Sequence, residues 1–480
     1  MRGLPSRIRN VAAALCLVAA PCSCEDATDS NTEPGDHWWT SLHGSGPTVR
    51  EMLGVSTHMK QDAGESDERD FEFARYSELG GIRIRQDYHW HKLEPVNDEL
   101  HFDRVQTQVE LARESGVSIL AMLAYGVDWA ETDGTTSSIE PADYADFAGR
   151  VAAELCDDIK EYEIWNEQNT TRFWSPAPDP QQYGEFLAAA CTAIHAACPD
   201  ARVLFGGLLS FDSRAAERWW FLREVHAAHP DLCQSFDILG LHPYTFNQRP
   251  SPEHDEVLAE EVVFHGQVAM TRIAREILAE MGCADKPIWF TEAGWPSYEL
   301  SEAQQGRFLA RSALLAARDR AETWFWYTFW DGEPTDEGFR PHERYFGLFG
   351  WPGDAVNPRR QKPAWQALST LSNVLGGSRF AADLSDELAL PEDVFALAFV
   401  DDAEQITLAL WDGRDNPDVG LGGEPGPGGP DTEYALTLEL PSWAREVVIA
   451  SHEDGASGES AEAEVEVVLT PVVQYLTIER

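Results

Sequence analysis

Between residues 51 and 375 the chain repeats one pattern: a short apolar run of strand length, then a longer segment of helical periodicity. The runs are 51–58, 81–87, 117–124, 160–165, 201–208, 236–242, 287–291 and 322–327. Helical patterns lie between and after them, at 70–79, 102–115, 141–155, 213–228, 256–281 and 361–375. Two further helices announce their own starts. Asp179-Pro180 supplies an N-cap and a proline at the first helical position, and Ser301-Glu302-Ala303-Gln304 has the form of a capping box. Eight strand–helix units in this length predict an α/β fold, a (β/α)8 TIM barrel. A doubly wound open sheet is the other way to arrange such units, but no Gly-rich phosphate loop supports it.

The pattern changes near residue 380. The segments 394–400, 406–411, 434–440, 446–452, 462–469 and 472–478 are short and strand-like, and Gly-, Pro- and Asp-rich loops such as 420–430 separate them. They predict a C-terminal β-sandwich over 377–480, after a barrel over 46–376. No cluster of exposed aromatics is evident there, so packing against the barrel is expected rather than sugar binding. At the other end, Arg2, Arg7 and Arg9 precede an apolar run over 11–20 that is too short to span a bilayer. Pro21-Cys22-Ser23-Cys24 and an acidic stretch follow. This looks like a lipoprotein signal peptide over 1–24, with a flexible acidic tether over 25–45. Pro21 and Cys22 depart from the usual lipobox, which keeps plain secretion open. The protein is therefore expected to be exported, as an outer-membrane or cell-surface lipoprotein or a secreted protein.

The 82 acidic against 36 basic side chains give a formal net charge of -46, which repels nucleic acid and anionic membranes. Membrane contact is thus expected only through an N-terminal lipid, and the protein is expected to be a monomer. Beyond the first 24 residues five cysteines remain, Cys156, Cys191, Cys198, Cys233 and Cys283, so at least one thiol is free. Cys191 and Cys198 lie about 10 Å apart along one apparent helix, too far for a disulfide unless the helix ends between them. None has metal-ligand spacing, and most are expected to be small buried hydrophobes. The 14 His are scattered. No metal and no cofactor is expected.

Two stretches carry the chemistry. Tyr162-Glu163-Ile164-Trp165-Asn166-Glu167 and Ile288-Trp289-Phe290-Thr291-Glu292-Ala293-Gly294-Trp295 are each an apolar strand ending in a glutamate. In an α/β barrel the carboxyl ends of the strands hold the chemistry. Two acids placed there suit paired acid/base and nucleophilic work.

Trp165-Asn166-Glu167 after the fourth strand and Thr291-Glu292 after the seventh resemble the signature of clan A glycoside hydrolases. The likeness extends over the barrel and is nearest to the family 39 type, the β-xylosidases, with family 5-like cellulases next. Tyr345-Phe346-Gly347-Leu348 and Lys362-Pro363-Ala364 support that choice. The resemblance implies that Glu167 is the acid/base and Glu292 the nucleophile, about 5–5.5 Å apart as retention requires. It implies that Arg85, with Trp90 five residues on, and Tyr244 in His242-Pro243-Tyr244 hold the nucleophile. Asn166 would bind the sugar 2-hydroxyl, His242 would serve the sugar site, and Trp326 would form the sugar platform. Gln168 stands where the clan usually has proline. Trp129, Trp174, Trp295 and Trp330 follow strands at the same barrel end, with Trp295 and Trp330 counted as substrate-binding candidates. Asp331 and Glu333 are either sugar ligands or solvated acids.

The implied function is a retaining hydrolase that cleaves β-O-glycosidic bonds of oligo- or polysaccharides by double displacement, in polysaccharide degradation and carbohydrate metabolism. The alternative is a catalytically silent carbohydrate-binding surface lipoprotein with the same barrel. Retention of Arg85 and both glutamates disfavours it.

Overall fold

The computed structural model describes residues 38–59, 66–209, 220–244, 251–253, 256–259, 262–298, 300–335, 340–414, 433–460 and 463–479. The leader, most of the acidic tether and the loop 420–430 lie outside the described residues.

Eight parallel strands close into a barrel: β1 (Leu53–Thr57), β2 (Arg83–Tyr88), β3 (Ser118–Leu123), β4 (Glu161–Ile164), β5 (Arg202–Leu209), β6 (Ile238–His242), β9 (Ile288–Ala293) and β10 (Thr323–Tyr327). Each matches an apolar run of the sequence to within a few residues. The helix predicted over 256–281 is shorter than expected. Its first part is an antiparallel hairpin, β7 (Glu256–Ala259) with β8 (Val262–His265), and the helix itself is Gln267–Met281. The β-branched Val257, Val262 and Val263 explain the preference for strand. Elsewhere the caps read from sequence are present. Asp179 accepts from Gln182 N at the start of helix Pro180–Ala197, and the Ser301/Gln304 box opens helix Glu302–Arg318.

The barrel interior is layered. Leu120, Leu204, Ile238, Trp289 and Phe325, one from each of five strands, form a buried apolar plug. Two residues further along three of those strands the inward side chains turn polar or vanish, giving Gly240, Thr291 and Tyr327, and Arg85 and Glu163 join them from β2 and β4. Successive inward positions on a strand are two residues apart, so the change from apolar plug to polar floor takes one step.

The C-terminal region is an antiparallel sandwich. A six-stranded sheet runs β11 (Ser378–Asp383), β12 (Val394–Asp401), β13 (Ile406–Asp412), β18 (Gln474–Glu479), β15 (Glu446–Ser451), β16 (Gly455–Ser460), and β14 (Tyr434–Glu439) pairs with β17 (Glu464–Leu469). Its large sheet is buried on both faces. Ala396, Ala398, Leu408 and Leu410 pack in the sandwich core, while Leu397, Phe399, Ala409 and Trp411 join the barrel's core. That double burial is why these strands read as near-continuous apolar runs. Arg311, fully buried, pins the two together: it donates to both oxygens of Glu253, whose Oε1 also accepts from Trp411 Nε1 at 2.9 Å. The last residues read as tether are part of this structure, since Trp39 and Leu42 are buried in the sandwich core.

Four of the five cysteines pair, against the expectation that most are unpaired hydrophobes. Cys156–Cys198 and Cys233–Cys283 are disulfides with Cα atoms 5.5 Å and 5.6 Å apart, and Cys191 is free. The helix after Pro180 ends just before Cys198, which frees that residue to turn towards Cys156. Partners 42 and 50 residues away leave no spacing motif for a reader of the sequence.

Candidate active site

At the end of β4 the backbone leaves the strand through two left-handed residues, Trp165 at φ 69° and Glu167 at φ 44°. Such a conformation is uncommon for a residue with a Cβ. Here it breaks the strict alternation of a strand, so that consecutive side chains Asn166 and Glu167 both face the barrel mouth. Trp165 turns outward into the core against Trp174 and Tyr144. Gln168, in the position where the clan usually has proline, is fully buried and donates to Gly206 O at 2.9 Å.

The second glutamate, Glu292, comes from β9. Arg85 Nη1 donates to its Oε1 at 2.6 Å and Tyr244 Oη to its Oε2 at 2.7 Å. The same guanidinium donates through Nε to Glu163 Oε2 at 2.5 Å and through Nη2 to Asn166 Oδ1 at 2.8 Å. Arg85 is thus a buried hub between the two strand ends. The paired carboxylates hold its own proton more firmly than in water, against the cost of burial. Asn166 completes its bonds with Tyr125 Oη at 3.1 Å.

His242 lies beneath Glu167, with Nδ1 2.9 Å from Glu167 Oε1 and Nε2 3.0 Å from Thr291 Oγ1. It fits because Gly207 on β5 has no side chain: a Cβ there would collide with the imidazole. Burial holds the imidazole down to about 4, so it is neutral over the physiological range. Burial pushes the Glu167 carboxyl up to about 7, opposed by Arg172 and Arg85. One oxygen of Glu167, one of Glu292 and one ring nitrogen of His242 all lie within 4.8 Å of one another. These donors are spatially suited to an ion, but each already has a hydrogen-bond partner in the protein.

A cleft of about 690 Å³ opens above the pair. Its described wall brings in residues that the sequence did not single out. Tyr125, Phe173, Tyr327 and Phe346 give it aromatic sides, and His58 and Asp87 face it from the ends of β1 and β2. His58 Nδ1 lies 2.6 Å from Asp87 Oδ2. Burial alone would raise the Asp87 carboxyl, yet His58, His89 and Arg85 draw it down to about 2. Arg172 and Glu343 form an ion pair at 2.7 Å between the loops after β4 and β10. These loops stand on opposite sides of the barrel, so the pair reaches across the mouth.

The tryptophans are placed differently from the expectation. Trp326, read as the sugar platform, is fully buried outside the barrel strands, donates to Phe346 O and stacks on Trp295. The inward residue of β10 is its neighbour Tyr327. A shift of one position moves a strand side chain to the opposite face, and the aromatic run Trp324-Phe325-Trp326-Tyr327 hides which face is which. Trp295 packs on Phe308, and Trp330 donates to Glu72 Oε1 at 2.7 Å; neither is on the described cleft wall. Trp174 is core, and Trp129 donates to Glu94 O. Asp331 is buried against Lys362 at 2.9 Å, and Glu333 is exposed. The structure thus brings Arg85, Asn166, Glu167, His242, Tyr244 and Glu292 together. It adds Glu163, legible only as an acid at an inward strand position, four residues before Glu167.

No family model matches the chain, and no curated protein does. Solved structures do. A family 39 glycoside hydrolase from the gut symbiont Bacteroides cellulosilyticus superposes with a TM-score of 0.70 at 20% identity, over 90% of this chain and 81% of its own. A monomeric β-xylosidase from Caulobacter crescentus gives 0.65 at 18%, over 91% and 97%. A family 30 endoxylanase from Clostridium papyrosolvens gives 0.59 at 12%, over 92% and 98%. At these identities what is shared is the fold: barrel and C-terminal sandwich together, along nearly the whole length, in the arrangement of these glycoside hydrolases.

Proposed function

We propose that the protein is a retaining β-glycoside hydrolase in which Glu167 is the acid/base and Glu292 the nucleophile. One observation carries the reading. The two glutamates end strands on different sides of one barrel mouth, yet present oxygens within 4.8 Å of each other. An approach that close between single oxygens suits a carboxyl pair about 5–5.5 Å apart, which attacks directly, better than one about 6.5–9.5 Å apart, which admits a water. The enzymes sharing its fold act on sugars by name, which supports the same class of substrate here.

The residues divide the work as follows. In the first step a Glu292 oxygen attacks the anomeric carbon while the bond to the leaving oxygen breaks, and the Glu167 proton passes to that oxygen. Arg85 and Tyr244 hold Glu292 in line by fixing both of its oxygens. In the second step Glu167, now ionised, takes a proton from water as the water oxygen attacks the same carbon and Glu292 is released. Asn166, anchored by Arg85 and Tyr125, lines the cleft with both glutamates and is placed for the 2-hydroxyl of the sugar. Tyr327 and Phe346 give the cleft the apolar faces on which a sugar ring packs.

Azide separates the roles. With an activated aryl β-glycoside, Glu167→Ala should form the glycosyl-enzyme and then stall, and azide should restore turnover and give the β-glycosyl azide. Glu292→Ala with azide should give the α-azide. The reverse pattern would exchange the roles, and no azide product from either variant would reject the pair. For the N-terminus we infer export with a lipid on Cys22 or Cys24, supported by the sequence alone. Detergent partitioning and an acyl mass at the mature N-terminus test it, and an unmodified chain in the medium would mean plain secretion.

A further inference from the structure

We propose that Thr291 and Glu163 are positioning residues that fix the tautomer of His242 and thereby keep the catalytic proton on Glu167. The inference rests on the reading of Glu167 as acid/base, and it follows from counting hydrogens along one buried chain of contacts. Glu163 is fully buried and ion-paired with Arg85, so it can only accept. Its Oε1 takes Gly207 N–H at 2.8 Å and the Thr291 hydroxyl at 3.0 Å. Thr291 has one hydrogen and spends it on Glu163. The lone pairs of Thr291 Oγ1 therefore face His242 Nε2 at 3.0 Å, and that nitrogen must be the N–H.

A neutral imidazole has one N–H, so Nδ1 is bare. It lies 2.9 Å from Glu167 Oε1. Two acceptors at that distance in a buried site would cost about 1–3 kcal/mol, whereas a protonated Glu167 makes the contact a hydrogen bond. The chain reads in one direction only: Glu167 donates to His242, His242 to Thr291, and Thr291 to Glu163. Burial of His242, which keeps its ring neutral, agrees with this count.

The remaining groups do not reverse the sense. Arg85 and Arg172 favour an ionised Glu167, and Glu163 and Glu343 oppose it, while burial exceeds all four. Glu292 Oε2 lies 3.8 Å from His242 Nδ1, beyond hydrogen-bond reach, and its two oxygens take their hydrogens from Arg85 and Tyr244. The hydroxyls of Tyr125, Tyr244 and Tyr327 are held protonated by burial, so none competes for the proton. When Glu167 has given its proton away, its oxygen and the bare Nδ1 face each other as two acceptors, so the fixed tautomer favours the return of a proton to Glu167 from water in the second step.

The test reads the tautomer directly and needs no turnover. Nitrogen-15 NMR of histidine-labelled protein, with His242→Gln to assign the signal, should show an Nε2–H tautomer in the wild type at pH 6. Thr291→Ser should keep it. Thr291→Val, which preserves shape and removes the hydroxyl, should release the ring to the Nδ1–H form. It should also lower the alkaline limb of kcat/KM on an aryl glycoside by about half a pH unit or more. An Nδ1–H tautomer in the wild type overturns the proposal. So does a Thr291→Val protein that melts normally with tautomer and limb unmoved. If no glycoside is turned over, the proposed activity fails while the tautomer still decides the relay.

Discussion

At the end of β9 Glu292 has a strong donor on each oxygen, Arg85 at 2.6 Å and Tyr244 at 2.7 Å. At the end of β4 the Glu167 carboxyl meets a neutral imidazole at 2.9 Å, and Arg172 and Arg85 act on it only through their charge. The side chains are identical, and both residues are more than nine-tenths buried. What differs is the supply of hydrogens. Charge-assisted donors orient and complement a carboxylate, while burial without them favours the protonated form. Under the proposed roles, this difference suits Glu292 to attack and Glu167 to donate a proton.

Removing the residues themselves should separate the two sides most widely. Glu292→Ala should lose on the order of 10⁴- to 10⁶-fold in kcat on every β-linked substrate, aryl or natural. Steady-state assays on both classes check this, and a variant that still hydrolysed the aryl substrate at wild-type rates would break the assignment. Glu167→Ala should lose roughly 10²- to 10⁴-fold on natural glycosides. Its first step should survive with a good leaving group, so a burst of aryl alcohol should precede a slow steady state.

A smaller contrast lies in stability. The Glu167 carboxyl stands at about 7 in the fold against 4.5 unperturbed, so the fold holds its proton more tightly than the unfolded chain does. That contribution is whole below pH 4.5 and is lost as pH rises through 7. Above pH 7 Glu167→Gln should therefore be more stable than the wild type, by up to about 3 kcal/mol, and the gain should disappear at pH 4.5. Thermal melts across that range measure it. An advantage independent of pH would mean that burial of charge is not its source. Tyr244→Phe strips one donor from Glu292 and should cost about 2 kcal/mol of transition-state stabilisation, about thirtyfold in kcat/KM, with the fold intact.

The finest effect concerns the pair across the cleft mouth. Arg172 lowers and Glu343 raises the affinity of Glu167 for its proton. Arg172→Gln should shift the alkaline limb of the rate profile up and Glu343→Gln should shift it down, each by about half a unit, since solvent at the cleft mouth screens the half-exposed pair. Shifts of the same sign would show that the pair acts through loop position instead.

The sequence by itself determined the barrel, because eight apolar runs separated by helical patterns have few other ways to bury their faces. It placed Glu167 and Glu292 as well: an acid at the end of an apolar strand is a local pattern, visible without any partner. The helix starts at Asp179 and Ser301 were legible for the same reason, being capping interactions within three residues. Tertiary structure decided everything that depends on distant neighbours. Cys156 meets Cys198 and Cys233 meets Cys283 through the way helices return to the barrel. Trp326 turned to the core and Tyr327 to the cleft because barrel closure sets the facing of β10, and four consecutive aromatics carry no alternation to read. Glu163 accepts hydrogen bonds from Arg85, Gly207 and Thr291 because these residues, from three other strands, converge on it. Hydrogen bonds among residues 44 to 128 positions apart exist only once the barrel has closed, so no local pattern can announce them.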